Sequence, residues 1–370
     1  MIVKFLTATL ALFVLICSPK KQNIPSTDPT KIKYEWVIQD VDIPWGMAFL
    51  PDNSFLYTEK EGLIYHVKHG IKKEVGRPNE IYYRGQGGLL DICLDPDFET
   101  NNRIYLTMSR QPKGEKGGST ALVQAEFDGN SIQNYKVLYQ ALPLTSAGHH
   151  FGSRIIFDAS GFLYFTIGDR GERDINPQNT QNDGGKVYRI HPDGTIPVDN
   201  PFENKMGGKS AVYSYGHRNP QGMTLNPITK EIWTHEHGPR GGDEINIIQK
   251  GANYGWPIIT YGKEYSGGTI TDQTSKEGME QPLYYWIPSI APSGMCFVHS
   301  NKYPEWEGNL LVGSLVFEYL ERLELKNNQV ITREKLLENL GRVRNVVQGH
   351  DGYIYVAIEN KGILKITGIK

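Results

Sequence analysis

Cysteine is scarce, with three residues in a chain of 370. That excludes a small disulfide-built scaffold. Cys93 and Cys296 sit in apolar, strand-like contexts (Leu90-Asp91-Ile92-Cys93-Leu94 and Gly294-Met295-Cys296-Phe297) and read as buried free thiols, not as a bridge. Excess charge of either sign is also lacking. The 39 Lys and Arg against 41 Asp and Glu leave a formal net charge of -2, so no basic field is available for nucleic acid or an anionic membrane surface. No Gly-x-x-x-x-Gly-Lys occurs, and Gly85 to Gly88 leads into a β unit instead of a helix, which disfavours a nicotinamide enzyme. Few stretches keep a 3.6-residue apolar period for long, which disfavours helices, and no Ser/Pro-rich linker follows about residue 30, which disfavours a pair of β-sandwiches.

The one long apolar run, Phe5 to Ile16, is preceded by Lys4 and followed by Cys17, Ser18 and Pro19-Lys20-Lys21-Gln22. It falls short of the roughly 20 residues that span a bilayer. It reads as a secretory signal over residues 1–17, followed by a polar segment over 18–32. Cys17 directly after the run points to a lipoprotein with a lipid anchor at that residue, although Ile16 is bulky where such signals carry a small residue. An exported protein, periplasmic or membrane-anchored, is the expectation.

Glycine (40) and tyrosine (21) are plentiful instead, which favours short strands joined by turns. One unit recurs: a polar turn entering an alternating, aromatic-bearing strand. It appears at Pro51-Asp52-Asn53-Ser54-Phe55, Asp95-Pro96-Asp97-Phe98, Asp158-Ala159-Ser160-Gly161-Phe162, Asn226-Pro227, Glu307-Gly308-Asn309-Leu310 and His350-Asp351-Gly352-Tyr353. Six copies at intervals of roughly 45 to 80 residues predict an all-β fold, a six-bladed β-propeller of four-stranded antiparallel blades over residues 33–370. The glycine- and charge-rich stretches 170–185, 238–256 and 261–280 read as long functional loops gathered on one face of the disc.

Several constellations carry chemistry. Gly148-His149-His150-Phe151-Gly152-Ser153-Arg154 presents histidines on a small-residue turn; such a pair alone reads as structural or metal-ligating, but an imidazole near its usual pKa is also a competent base. Asp169, at a strand end in Thr166-Ile167-Gly168-Asp169-Arg170-Gly171, is placed to orient it. Arg218, next to Asn219, offers a rigid fork for a carboxylate or an oxyanion, or else bridges blades. In Thr234-His235-Glu236-His237-Gly238-Pro239-Arg240-Gly241-Gly242-Asp243-Glu244 the alternating histidines permit zinc, but the carboxylates and glycines suit calcium better. Arg342 and Arg344 lie two apart on a strand and point the same way, which suits a polycarboxylate. Gln86 sits on a glycine turn that lets a ligand approach the backbone.

In this order, together with Pro44-Trp45-Gly46-Met47, Gly216-His217-Arg218-Asn219-Pro220-Gln221-Gly222 and Asn253-Tyr254-Gly255-Trp256-Pro257, these segments resemble the soluble quinone-dependent aldose sugar dehydrogenases, akin to the soluble glucose dehydrogenases. The resemblance runs to the C-terminus. It implies pyrroloquinoline quinone in the mouth of a central channel and oxidation of an aldose at C1 to an aldonolactone. His150 would take the anomeric hydroxyl proton while hydride passes to the quinone, and electrons would go on to an external acceptor. It also implies Gln86, Arg218, Asn219, Tyr265, Ser314, Leu315, Arg342 and Arg344 as cofactor contacts. The carbonyls of Gly238 and Pro239 would ligate an active-site calcium, and Glu244 and Tyr254 a second, structural one. A monomer or homodimer is expected. One position departs: Val316 stands where the family commonly carries a basic residue near the quinone. Two further readings of the scaffold stay open here, a calcium-stabilised propeller that only binds sugar or a protein partner, and a calcium-dependent lactonase.

Overall fold

The computed structural model describes residues 24–203 and 208–369. They form six four-stranded antiparallel sheets arranged as blades I to VI around a central axis. The innermost strands are Pro44–Phe49, Leu89–Leu94, Ile155–Phe157, Pro220–Leu225, Pro292–Phe297 and Val343–Gln348, and each packs against the inner strand of the next blade. Five blades are built from consecutive strands. Blade VI takes its outermost strand from the other end of the sequence, Ile32–Gln39 pairing antiparallel with Gly362–Ile369 and closing the ring. Among the described residues the helical elements are the single turn Phe98–Asn101 and the 3-10 turn Pro304–Trp306.

The recurrent unit of the sequence is the turn between the first and second strands of every blade. Each such turn holds one residue in the left-handed region: Asn53, Asn102, Gly161, Lys230, Gly308 and Gly352. Asn and Gly enter that region at little cost, which is why the turns share a recognisable grammar, and Lys230 is the exception. The strands that follow are buried on both faces, because each sheet is sandwiched between two others; Phe55–Glu59, Leu163–Ile167 and Ile354–Ile358 are buried throughout. Six apolar clusters fill the gaps between neighbouring blades, for example Leu56, Ile64, Leu89 and Ile104 between I and II, and Trp233, Ile245, Leu310 and Val312 between IV and V.

Residues 24–30 run along the outer edge of blade V, where Ser26 bridges Arg333 and Arg333 N donates to Pro25 O at 3.1 Å. The added pairing covers an edge that would otherwise present unpaired backbone groups. Within the stretch 238–256, expected as one loop, the structure has a regular strand, Asp243–Ile247. Its carbonyl and amide ladder to Ile232–Glu236 overrides the local glycine content.

At the axis, Arg154 closes the channel. Its guanidinium donates to Asp91 Oδ1 (3.1 Å) and Gln221 O (2.7 Å) and lies 4.1 Å from the ring centre of Trp45. On one side of this plug, the turns after the inner strands surround a chamber of about 670 Å³ that includes Phe49, Pro96 and His350. On the other side lie the residues that lead into the inner strands. Among the described residues Cys93 and Cys296 are free and half-buried, on the inner strands of blades II and V.

Candidate functional site

The predicted site residues gather at that second face. His150 lies in the connection from blade II to blade III, and Asp169 directly after the second strand of blade III. His150 Nδ1 and Asp169 Oδ1 are 2.6 Å apart. The ionised carboxylate can only accept, so Nδ1 carries the hydrogen and Nε2 is left as the acceptor. Asp169 is itself held: its Oδ2 accepts from Trp256 Nε1 at 2.9 Å and its Oδ1 from Gly171 N at 2.8 Å. Burial would raise its pKa, but the hydrogen bond and charge of His150 outweigh this and keep Asp169 below the usual carboxylate range. For His150, burial lowers the pKa below 6.5 against the pull of Asp169, and the charge of Arg218 pushes the same way. A neutral imidazole at neutral pH is the consequence.

The turn that carries this imidazole is held from several directions. His150 itself is left-handed at φ 55, and Ser153 at φ 95. Gln86 Oε1 accepts from His150 N at 2.8 Å, and Gln86 N donates to Gly148 O at 2.7 Å. The side chain expected to touch a cofactor therefore also fixes the histidine. Gly168 leaves no room for a side chain, since a Cβ there would meet His150 O at 2.4 Å and Asn219 Oδ1 at 2.7 Å.

Arg218 and Asn219 lead into the inner strand of blade IV. Arg218 Nη1 donates to His237 O (3.0 Å) and Gly238 O (2.9 Å), its backbone N–H to Glu236 Oε2 (2.5 Å), and Nη2 lies 3.5 Å from Tyr265 Oη. The Tyr265 side chain is otherwise open, at 71% exposure. Asn219 is fully buried; its Oδ1 accepts from Gly152 N at 3.1 Å, while its Nδ2 has no partner among the described residues. A buried donor without an acceptor is costly, and a polar ligand atom in the mouth would satisfy it.

On the far wall Arg342 Nε donates to Glu359 Oε2 at 2.6 Å, and Arg344 Nε to Glu359 Oε1 at 2.7 Å. The two arginines do point the same way, but onto an internal carboxylate. Arg342 Nη1 also reaches Leu315 O at 3.0 Å, and Ser314 Oγ donates to Ile290 O at 3.0 Å, so the Ser314-Leu315 turn abuts the pair. Val316 follows, 55% exposed.

The two histidines weighed as zinc ligands are engaged elsewhere: His235 Nε2 bonds Ser293 O, and His237 Nε2 bonds Pro292 O at 2.6 Å, both on the inner strand of blade V. Burial holds His237 down to about 3 and therefore neutral. Among the described residues no group of three or more His, Cys, Asp or Glu side chains is placed to hold a metal. The oxygen-rich alternative is different in kind. Glu236, Gly238, Glu244 and Tyr254 line one small cavity beside Arg218. Burial, reinforced by the charge of Glu236, pushes the Glu244 carboxyl well up. Nearby Asn246 Oδ1 is buried without a partner. The Glu244 carboxylate, an orphaned amide oxygen and a backbone carbonyl fit a hard cation, with Glu236, its oxygens held by His217, Asn246 and Arg218, adding negative charge. Pro239 O accepts from Ser289 Oγ at 3.3 Å and keeps a second lone pair.

Sequence reasoning gave no role to Trp256, Glu359 or Glu236. The long connection after Asp243–Ile247 folds back to deliver Trp256 and Tyr265 to the mouth. Trp256 lies within Asn253-Tyr254-Gly255-Trp256-Pro257, which was the available signal. Glu359 had none, because its proximity to the arginines comes from strand register.

Such a mouth, with a carboxylate-oriented imidazole near Arg218 on a six-bladed propeller, is built for proton transfer on a bound ligand. The chain belongs to the glucose/sorbosone dehydrogenase family, whose model matches residues 41–365. It is 37% identical over 348 residues to the aldose sugar dehydrogenase YliI of Escherichia coli, covering 92% of this chain and 94% of that one. The apo-form crystal structure of the soluble aldose sugar dehydrogenase from Escherichia coli superposes with a TM-score of 0.85 at 36% identity, covering 91% of this chain and 99% of that one. The PQQ-bound form of the aldose sugar dehydrogenase from Streptomyces coelicolor superposes with a TM-score of 0.76 at 28% identity, covering 93% and 99%. The family makes this chain an oxidoreductase.

Proposed function

We propose that the protein oxidises aldose sugars at C1 to aldonolactones, using pyrroloquinoline quinone and calcium bound in the mouth. The observation that carries this reading is the 2.6 Å contact of His150 Nδ1 with Asp169, which leaves Nε2 free as an acceptor beside Arg218. Asp169 holds the tautomer and steadies the imidazolium that forms when Nε2 takes the proton of the anomeric hydroxyl. Arg218, pinned by Glu236 and two carbonyls, offers its remaining donors toward negative charge in the mouth. Arg344, Arg342, Gln86, Asn219, Tyr265, Ser314 and Leu315 would hold the quinone, the arginines facing its carboxylates and Asn219 Nδ2 gaining the partner it lacks. Gly238 and Pro239 would ligate the nearby calcium through their carbonyls, and Glu244 and Tyr254 the structural one. When bound, the quinone supplies the hydride acceptor and calcium the Lewis acid.

The same reading includes an external electron acceptor and export, with Cys17 as the lipid anchor; residues 1–17 lie outside the described residues. No helix among the described residues is long and apolar enough to cross a membrane. The test is reconstitution: purified protein with quinone and calcium should reduce an artificial acceptor only when an aldose is present, and the product should be a lactone. A 1-deoxy sugar, which lacks the anomeric hydroxyl, should be inert. Lactone hydrolysis without quinone, and no acceptor reduction with it, would replace this reading with that of a hydrolase.

A further inference from the structure

Arg170 is a buried arginine that the chemistry above does not use. It is 3% exposed, yet among the described residues no carboxylate lies within ion-pairing distance of it, and its Nε has no partner. Every donor contact it makes is with one segment or its immediate neighbour. Nη1 donates to His149 O; Nη2 donates to Ala147 O at 2.6 Å and approaches Thr145 Oγ1 and Gly118 O at 3.4 Å. The guanidinium plane lies 3.5 Å from the centre of the Phe151 ring. Residues 145, 147, 149 and 151 are thus all touched by one side chain, and His150 is the residue in their midst. Arg170 is itself left-handed, at φ 59, a conformation that costs a side-chain-bearing residue and needs support from its surroundings. Its neighbours in sequence act on the same turn. Asp169 bonds the His150 imidazole, and Gly171 is pressed so closely by His149 that a Cβ there would meet the ring nitrogen at 2.3 Å.

We infer that Arg170 is a positioning residue: it fixes the His150 imidazole by clamping the backbone of the turn that carries it, while Asp169 fixes the ring. Desolvating a guanidinium whose hydrogen-bond partners are neutral carbonyls and one hydroxyl is unfavourable. The arrangement persists because the turn is left-handed at both His150 and Ser153 and would otherwise relax. The guanidinium fork matters here as much as the charge, since Nη1 and Nη2 each hold a different carbonyl of the turn in one rigid plane while the same plane stacks on Phe151.

The inference rests on His150 as the base, so its test has one arm that needs no turnover. In cofactor-free protein labelled at histidine nitrogen, the parent should show His150 as one Nδ1–H tautomer with a hydrogen-bonded proton. Arg170→Ala should show tautomer averaging and loss of that protected proton, with Asp169 intact. Reconstituted Arg170→Ala should lose about 10- to 100-fold in kcat, as expected for slight misplacement of a base, with sugar KM and quinone affinity within about twofold of the parent. Millimolar guanidinium should restore part of the rate, and Arg170→Lys should resemble the alanine variant. His150 ring signals in Arg170→Ala identical to the parent, or parent-like kcat in Arg170→Lys, would overturn the inference. A His150→Ala enzyme that stays active would instead sink the base assignment and leave the ring-signal arm to decide on Arg170. If Arg170→Ala does not fold, the same two readouts on Arg170→Lys decide.

Discussion

Arg344 is locked onto Glu359, with Nε 2.7 Å from Oε1, so a guanidinium expected to face a ligand's carboxylates is preset by an internal one. Glu359 holds Arg342 in the same way, and the three side chains leave one net positive charge at the wall of the mouth. The Arg344 side chain is only 12% exposed. Arg344→Ala removes that charge and leaves Glu359 with a single partner. Affinity for the quinone should then fall at least about tenfold in equilibrium dialysis, while the thermal transition of the cofactor-free protein shifts less than that of a core variant.

The Asp169–His150 pair sets the pH dependence. Catalysis by Nε2 needs the neutral ring, so kcat/KM should rise through a pKa below 6.5 and be level at neutral pH. Asp169→Asn removes the charge that favours the imidazolium. The acid limb should therefore move to still lower pH, and kcat should fall by about 10²- to 10⁴-fold because the tautomer is no longer fixed. An acid limb that moves upward would contradict the assignment.

Val316 offers a gain-of-affinity test. It is more than half exposed beside the Ser314-Leu315 turn, so a longer basic side chain meets no packing barrier there. Val316→Lys should tighten quinone binding by about threefold to tenfold, and more so at low ionic strength.

Glu236 and Glu244 confront each other beside the Gly238 carbonyl, and a divalent ion there would relieve their repulsion. Calcium should raise the melting temperature of the cofactor-free protein by about 5 °C at saturating concentrations, reversibly with chelator. Glu244→Gln should reduce that increment, leaving only the part due to an ion on the Gly238 and Pro239 carbonyls. Zinc should not substitute.

The architecture was largely legible because each blade repeats one turn, and a left-handed Asn or Gly marks five of the six copies. The closing strand was not, since Ile32–Gln39 finds its partner at the opposite end of the chain and carries no turn signal for that pairing. Glycine concealed the strand Asp243–Ile247, whose formation is decided by its neighbours in the sheet. At the site, motif order located His150, Asp169, Arg218 and Arg344. Their partners were hidden, because Glu359 reaches the arginines through the register in which Val343 pairs with Ile358, and Trp256 arrives on a loop whose path no local pattern encodes.

The most direct test is His150→Ala, measured for turnover and for quinone binding on the same preparation. Turnover should fall by about 10³-fold or more with quinone affinity close to the parent's, because the imidazole moves a proton and the arginines do the holding. Turnover equal to the parent's would mean that the proton leaves by another group.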